Sequence, residues 1–291
     1  MSTSDLHKKL VSQGTRGRKN YSPIPWDQFF DSKIEVPTED GSFNVYLKGT
    51  EGPILFLIHG GGYSGLTWAC FAKSISRIIK CRIVAPDLRC HGKSGCRICF
   101  IHMGGAFAVH ALCENVIPSF AAVAVIDVVE GSAMDALQGM KNVLRCRPSR
   151  FESVEKAVEW CIRSGYTSNL ESARVSMPSQ IKPVAVKESF TWRIDLSKTE
   201  PYWQSWFSGL SQKFLSITVP KLLLLAGIDR LDKELTIGHM QGKFQMIVLP
   251  RCGHAVQEDS PDRLADTVAM FLVRNRLAEA IADFHPVLPG C

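Results

Sequence analysis

Continuous apolar runs recur along the chain, and most of them end in a glycine or a polar residue. Residues 53–58 form one such run, which leads into a glycine-rich turn at 59–62. Uninterrupted runs of four to eight apolar residues are typical of strands buried on both faces of a parallel sheet. The same pattern predicts further strands at 43–48, 82–87, 121–126, 221–226 and 244–249.

Segments with helical spacing lie between or after these runs. Residues 67–79 show this spacing after the glycine-rich turn, and residues 262–276 show it near the end of the chain. Strands that alternate with helices indicate a mostly parallel sheet with helices on both faces. Sites in such folds form at the carboxyl ends of the strands. The pattern therefore predicts an α/β fold whose functional groups follow the strands.

Two regions depart from this alternation. Residues 1–24 are polar, and we expect a disordered N-terminal tail before a single domain at 25–291. Residues 149–213 predict an inserted helical cap. Its aromatic side chains either fill a small core of the cap, as large aromatics usually do, or line a substrate groove. The sequence leaves both interpretations open for Trp160, Trp192, Trp203 and Trp206.

Charge and hydropathy indicate which partners and which cellular compartment to expect for the protein. The net charge of +6 is mild, and no basic stripe with interleaved aromatic residues predicts nucleic-acid binding. No apolar run reaches the length of a membrane span, and residues 1–9 lack the apolar segment of a secretory signal. We therefore expect a protein of the cytosol or nucleus that binds neither nucleic acid nor membrane.

The cysteines and glycines predict no metal and no cofactor. In a reducing compartment the ten cysteines are expected to be free thiols. Cys96 and Cys99 form a C-x-x-C pair, but a structural zinc site requires further ligands at matching spacing, which we do not find. The phosphate-binding and dinucleotide-binding glycine motifs are also absent from the sequence.

The glycine-rich turn reads His-Gly-Gly-Gly at 59–62. Glycines let the backbone approach a ligand and leave N–H groups free to donate. In α/β-hydrolases such a turn supplies one donor of the oxyanion hole, which makes Gly61 and Gly62 candidates. The loop at 87–94 reads D-x-R-x-H-G-x-S, which marks the fold more than the catalyst. Its Ser94 lacks the flanking G-x-S-x-G pattern and is a poor candidate nucleophile.

The acid and the base of a hydrolase also have candidates. His254 follows Gly253 after the last predicted strand, where a general base would lie in the order nucleophile, acid, base. Asp127 and Asp229 each follow a buried strand, and either carboxylate could orient the histidine. Topology alone favours Asp229, because the acid usually follows the later strand; spacing does not decide between the two.

Long stretches of the chain resemble the eukaryotic protein phosphatase methylesterases, a family of α/β-hydrolases. The most specific stretches are residues 126–137, which read IDVVEGSAMDAL, and residues 229–246. The resemblance extends over nearly the whole chain from about Tyr21, with further similar stretches at 21–26, 81–85, 169–177 and 221–232.

This resemblance implies an α/β-hydrolase fold and a carboxylesterase activity. The substrate would be the methyl ester on the C-terminal leucine of the type 2A protein phosphatase catalytic subunit, and the cap would form part of the groove for its C-terminal peptide. The acid role falls on Asp127 rather than Asp229, and the base role on His254. The oxyanion hole would include Gly61, Gly62 and Met103.

The chain departs from this family where the nucleophile should lie. The family motif reads G-H-S-M-G-G, whereas residues 100–105 read F-I-H-M-G-G, so that no serine precedes Met103 and His102 lies at or next to its place. Only nine residues separate Gly92 from His102. A crossover between parallel strands requires about a dozen residues, usually as a helix. We therefore expect that a helix, part of a strand and the serine are missing together between 92 and 103.

This truncation leaves three functional hypotheses. The first is a methylesterase by descent whose activity is impaired, and the second is a non-catalytic protein that still binds the phosphatase. The third, a hydrolase of other small esters, is disfavoured by the long family-specific stretches. The loss of a helix that covers one face of the sheet also predicts exposed apolar surface and reduced stability.

Overall fold

The computed structural model describes residues 19–39, 41–94, 104–114, 119–185, 187–227, 231–281 and 284. Its strands are β1 (Ser32–Thr38), β2 (Gly41–Lys48), β3 (Ile54–Phe56), β4 (Arg82–Pro86), β5 (Val123–Ile126), β6 (Ile181–Val184), β7 (Lys187–Trp192), β8 (Lys221–Leu225) and β9 (Gln245–Val248). Its α-helices are α1 (Ala69–Ile75), α2 (Gly104–Cys113), α3 (Glu130–Arg145), α4 (Val154–Arg163), α5 (Leu170–Gln180), α6 (Glu200–Phe207), α7 (Leu210–Ser216), α8 (Lys233–Met240), α9 (Val256–Asp259) and α10 (Pro261–Arg274). Short 3-10 helices lie at Trp26–Gln28, Gly65–Trp68 and Leu196–Thr199.

The described strands form two larger sheets and a hairpin. The first sheet has the order β1-β2-β4-β3, in which β3 and β4 are parallel and the other pairs are antiparallel. The second sheet has the order β5-β8-β9 and is parallel throughout. The strands predicted from apolar runs are confirmed in each case, with shifts of a few residues at their ends.

Burial explains why the apolar runs predict these strands. All five residues of β8 are buried, since helices cover both faces of the second sheet. On one face, α1 and α10 pack against side chains of both sheets, including Ile83 of β4 and Leu222 of β8. On the other face, α2, α6 and α7 pack against β5 and against Leu223 and Leu225 of β8. The two sheets therefore share one of their cores.

We expected a helical cap, but the cap is only partly helical. Besides α4 and α5 it contains the antiparallel hairpin of β6 and β7. Trp160 and Trp192 pack with Phe151 in a separate small core of the cap. In contrast, Trp203 and Trp206 pack with the strands of the second sheet. The aromatic residues thus divide between the core of the cap and the core of the second sheet, because α6 packs on the second sheet and not on the rest of the cap.

Apolar surface is exposed along the edge of the first sheet. In the part of the chain that the structure describes, β3 is an edge strand, and the side chains of Ile54 and Phe56 are each 56% exposed. A buried parallel strand would cover such residues. Apolar side chains are thus exposed on β3 among the described residues, whereas the loss of a helix and the reduced stability stay predictions.

The cysteines were expected to be free thiols, and one described cysteine is not. Cys90 is disulfide-bonded, so the expectation of free thiols throughout is wrong. This cysteine is partly buried and lies in the loop at 87–94, where it adopts a positive φ of 62°. Other described cysteines are free, namely Cys70, Cys81, Cys113, Cys146, Cys161 and Cys252.

Candidate active site

Asp127 and His254 form a hydrogen-bonded pair at the carboxyl ends of the second sheet. Asp127 follows β5, His254 follows β9, and the Nδ1 atom of the histidine lies 2.9 Å from Oδ2 of the aspartate. The side chain of Asp127 is fully buried, whereas that of His254 is 53% exposed. With Nδ1 directed at the carboxylate, Nε2 is the ring atom left to exchange a proton with a substrate.

The backbone fixes the carboxylate of Asp127. Its N–H donates to the carbonyl of Leu224 at 2.7 Å, and its Oδ1 accepts the N–H of Ala226 at 2.9 Å. Both partners belong to β8 or directly follow it. The residue also adopts a left-handed φ of 51°, a conformation that costs a non-glycine residue about 1 kcal/mol or more and is common at functional sites. The position of the acid is therefore set by the parallel pairing of β5 and β8.

Asp259 fixes the loop that bears His254. Its Oδ2 accepts the N–H of Gly253 at 2.6 Å, directly before the histidine. Its Oδ1 accepts the hydroxyl of Thr167 and both the N–H and the hydroxyl of Ser168, at 2.7 to 3.0 Å. The carboxylate thus ties the histidine loop to the cap. Sequence analysis missed this residue, although an acidic pair shortly after the Gly-His motif is a visible signal.

The glycine-rich turn lies at the end of β3 in the first sheet. The N–H of Gly62 donates to Nε2 of His91 at 3.0 Å, so this donor is already engaged. For the N–H of Gly61, the described residues show no acceptor. Of the two glycines considered for the oxyanion hole, Gly61 is the one with a donor available in this structure.

Two buried histidines hold this turn against the loop at 87–94. His59 lies 4.9 Å from His91 between ring centroids, and its Nε2 accepts the N–H of Leu88 at 2.9 Å. Burial lowers the pKa of His59 to about 3 and that of His91 to about 4, with the neighbouring histidine also lowering the former. Both rings are therefore neutral at pH 7, and each uses Nε2 as an acceptor for a backbone N–H.

The loop at 87–94 has a structural role in this arrangement. The buried carboxylate of Asp87 accepts the N–H groups of Gly65 and Lys93 and the side-chain amide of Asn44, each at 2.8 Å. Burial still raises its pKa, with these donors acting in the opposite direction. The hydroxyl of Ser94 donates to the backbone of Asp87 and accepts the N–H of Asn44, which leaves it poorly placed for nucleophilic attack.

Helix α2 begins between the end of β3 and the end of β5. A Cβ atom on Gly104 would lie 2.6 Å from the carbonyl oxygens of Ile58 and His59, so only glycine fits this approach. A Cβ on Gly105 would lie 3.2 Å from side-chain atoms of Val125 and Val128. The first turn of α2 therefore contacts the end of β3 on one side and the end of β5 on the other.

Several predicted residues lie outside the described part of the chain. These are Met103 of the expected oxyanion hole, His102, Asp229 and the pair of Cys96 and Cys99. Among the described residues, no group of histidine, cysteine or acidic side chains could hold a metal ion. No described helix combines the length and the apolar character that a membrane span requires.

Known proteins are similar to this chain over most of its length. A model of the alpha/beta hydrolase family matches residues 55–267. A probable protein phosphatase methylesterase 1 of Caenorhabditis elegans is 52% identical, over 95% of this chain and 87% of the relative. The chain belongs to the protein phosphatase methylesterase family. The methylesterase 1 of Homo sapiens is 45% identical, over 97% of this chain and 92% of the human protein, and that of Aspergillus fumigatus is 38% identical.

Solved structures support the same fold at lower identity. An E-2-(acetamidomethylene)succinate hydrolase superposes with a TM-score of 0.64 over 83% of this chain and 99% of its own, at 16% identity. An esterase of M. tuberculosis superposes with a TM-score of 0.60 over 94% of this chain and 99% of its own, at 17% identity. The α/β-hydrolase fold expected for this methylesterase-family chain is thereby confirmed.

Proposed function

We propose that this chain descends from a carboxylesterase that demethylates the C-terminal leucine of the type 2A protein phosphatase catalytic subunit, and that its own turnover is impaired. The observation that supports descent from such an esterase is the hydrogen-bonded pair of Asp127 and His254, with 2.9 Å between Nδ1 of the histidine and the carboxylate. In this proposal Asp127 orients the histidine, and His254 acts as the general base towards an attacking hydroxyl.

The impairment follows from the stretch between Gly92 and Gly104, in which no serine is preceded by a strand-length apolar run. The match to the human relative runs over 356 positions and that to the Caenorhabditis elegans relative over 317, whereas this chain has 291 residues. Both relatives therefore contain residues that have no counterpart here. This difference in length supports the loss of a segment. In this proposal the lost segment carried the nucleophile on which His254 would act.

Acid, base and oxyanion donor alone would give weak catalysis. A triad that lacks its nucleophile retains a rate about 10³–10⁴ times that in water where the remaining groups are in place. In this proposal the N–H of Gly61 is the remaining donor of the glycine turn, and Met103 would supply the second. Binding of the phosphatase peptide by the cap does not require the serine. A non-catalytic, phosphatase-binding protein is therefore the alternative, and it predicts binding with no turnover.

Restoration of the missing segment tests the proposal. The stretch 93–103 would be replaced by the corresponding segment of the Caenorhabditis elegans relative, and methanol release would be measured from a peptide that ends in leucine methyl ester. We expect negligible release by the original chain and a gain of about 10⁶-fold on restoration, which is the factor lost when a serine nucleophile is removed. A fluorophosphonate probe, which labels activated serines, should mark only the restored protein.

The matched control is the same replacement with its serine changed to alanine, which should fold and remain inactive. Turnover by the original chain at the rate of the restored protein would contradict the proposed impairment. Failure of the restored protein to release methanol, with its fold intact by circular dichroism, would contradict the proposed methylesterase lineage of the site. We further propose that the protein is found in the cytosol or nucleus, which fluorescence microscopy of the tagged chain would check.

A further inference from the structure

Arg147 is held in a fixed orientation by two aromatic rings. It lies two residues beyond the end of α3, where its N–H donates to the carbonyl of Leu144. The central carbon of its guanidinium lies 5.1 Å from the ring centroid of Tyr166 and 4.9 Å from that of Trp192. Stacking on rings uses the face of the guanidinium and leaves the N–H groups at its edge available.

The same arginine lies beside the glycine-rich turn. A Cβ atom built on Gly62 would be 3.9 Å from Nη1 of Arg147. The next residue, Tyr63, stacks on Tyr166 with 5.5 Å between centroids and 16° between planes. The turn, the two tyrosines and the arginine therefore form one contiguous stack. A ligand group bound at the turn would be within reach of the positive charge.

Besides the two rings, this guanidinium has no acidic or hydrogen-bonding partner among the described residues. No carboxylate lies within salt-bridge distance of it, and no side-chain hydrogen bond engages its N–H groups. Its five N–H donors form a planar fork whose spacing matches the two oxygens of a carboxylate. A partly buried, oriented arginine without an acidic partner, beside a turn where the N–H of Gly61 has no acceptor among the described residues, is the arrangement expected of a carboxylate site.

We infer that Arg147 binds the free C-terminal carboxylate of the phosphatase peptide, which is the product of demethylation. This inference rests on the proposed function, since it assumes that the peptide's terminal carbonyl group lies at the glycine turn. A methyl ester at that position is neutral, whereas the free acid carries a charge within reach of the guanidinium. The chain therefore prefers the demethylated peptide to the methylated one.

Fluorescence anisotropy on the full chain tests this preference. The probes are labelled peptides of identical sequence that end in leucine as the free acid, the methyl ester or the amide. We expect the free acid to bind about tenfold or more tightly than the two neutral forms, as a charge-assisted bidentate contact provides. The preference should decrease as the salt concentration rises, because the contact is ionic and partly exposed to solvent.

Arg147→Met should remove the preference and leave the affinity for the methyl ester within about twofold. Arg145→Met is the matched control, since Arg145 is exposed on the same segment and its loss changes the net charge equally. Equal binding of acid and ester by the original chain would overturn the inference but not the proposed function. Survival of the preference in Arg147→Met would also overturn it, and failure of all three peptides to bind would count against both proposals. If Arg147→Met does not fold, the acid-to-ester ratio and its salt dependence in the original chain still decide.

Discussion

The substitution Glu258→Gln isolates the effect of one buried acid on the stability of this fold. Glu258 lies four residues after His254 and is completely buried. Its Oε1 accepts the hydroxyl of Thr67 at 2.7 Å, whereas its Oε2 has no hydrogen bond in the structure. The hydroxyl of Ser176 lies nearby and is itself unpaired. Glutamine keeps the shape of the side chain, and its amide can donate to this hydroxyl.

Burial raises the pKa of Glu258 from 4.5 to about 7, with the charge of Asp259 acting in the same direction and the hydroxyl of Thr67 in the opposite one. Because the folded-state pKa is the higher one, the folded state holds the proton more tightly than the unfolded state. The associated stability is fully present below pH 4.5 and is lost as the pH rises through about 7. A difference of this size corresponds to about 3 kcal/mol.

We expect the two proteins to differ in the pH dependence of their unfolding. Urea unfolding, followed by tryptophan fluorescence between pH 4.5 and 8, would measure the free energy of unfolding of each. The glutamine variant should gain about 3 kcal/mol relative to the original chain between the two ends of this range. The buried histidines His59 and His91 have lowered pKa values, so their contribution changes with pH in the opposite direction, as stability rises with pH up to about 6.5. Their effect cancels in the difference between the two proteins.

The exposed Glu152 supplies the matched control, because Glu152→Gln removes the same charge from a solvated position. Its effect on stability should be small and nearly independent of pH. A difference between Glu258→Gln and the original chain that stays constant from pH 4.5 to 8 would refute the reasoning. It would mean that the carboxyl of Glu258 titrates in the folded protein as it does in the unfolded chain.

Two further substitutions test contacts around the site. Asp259→Ala should lower the free energy of unfolding, measured in urea, by about 2 kcal/mol, because the N–H groups of Gly253 and the cap residue Ser168 lose a charged acceptor. Asp259→Asn should lower the free energy of unfolding by less. An equal decrease in both variants would contradict a charge-assisted role. Gly104→Ala should cost about 1–3 kcal/mol, because the methyl group would lie 2.6 Å from two carbonyl oxygens. Gly139→Ala, where nothing lies within 4 Å, is the control and should be neutral or stabilising by thermal melting.

The sequence predicts those elements whose burial is uniform along the strand. Strand β8 reads as an apolar run because both of its faces are covered, and it was predicted nearly to the residue. Strand β1 was missed because it is an exposed edge strand that contains Pro37 and Glu35. The hairpin of β6 and β7 was missed for a related reason, since Pro183 interrupts its short first strand. Edge strands and hairpins lack the continuous apolar pattern that identifies a buried strand.

The site could be predicted only in part, because its residues come from distant parts of the chain. Spacing placed Asp127 and Asp229 equally at strand ends, and only the family resemblance preferred Asp127. In the described residues it is Asp127 that reaches His254, whereas Asp229 lies outside them. The stacking of Arg147 had no sequence signal, since it depends on how the cap folds over the glycine turn. Such contacts between separate elements require coordinates.

The two halves of the site belong to different sheets, and this division bears on how much function the chain retains. The acid and base are positioned by the second sheet, through the backbone of β8, and by Asp259 in the histidine loop. The glycine turn is positioned by the first sheet, through His59 and His91. Each of these contacts joins two described residues. The pair of Asp127 and His254 can therefore persist without a nucleophile, while the distance between that pair and the glycine turn depends on the shared core and on the first turn of α2. This is why replacement of one short stretch is expected to restore turnover, and why binding is the activity most independent of that stretch.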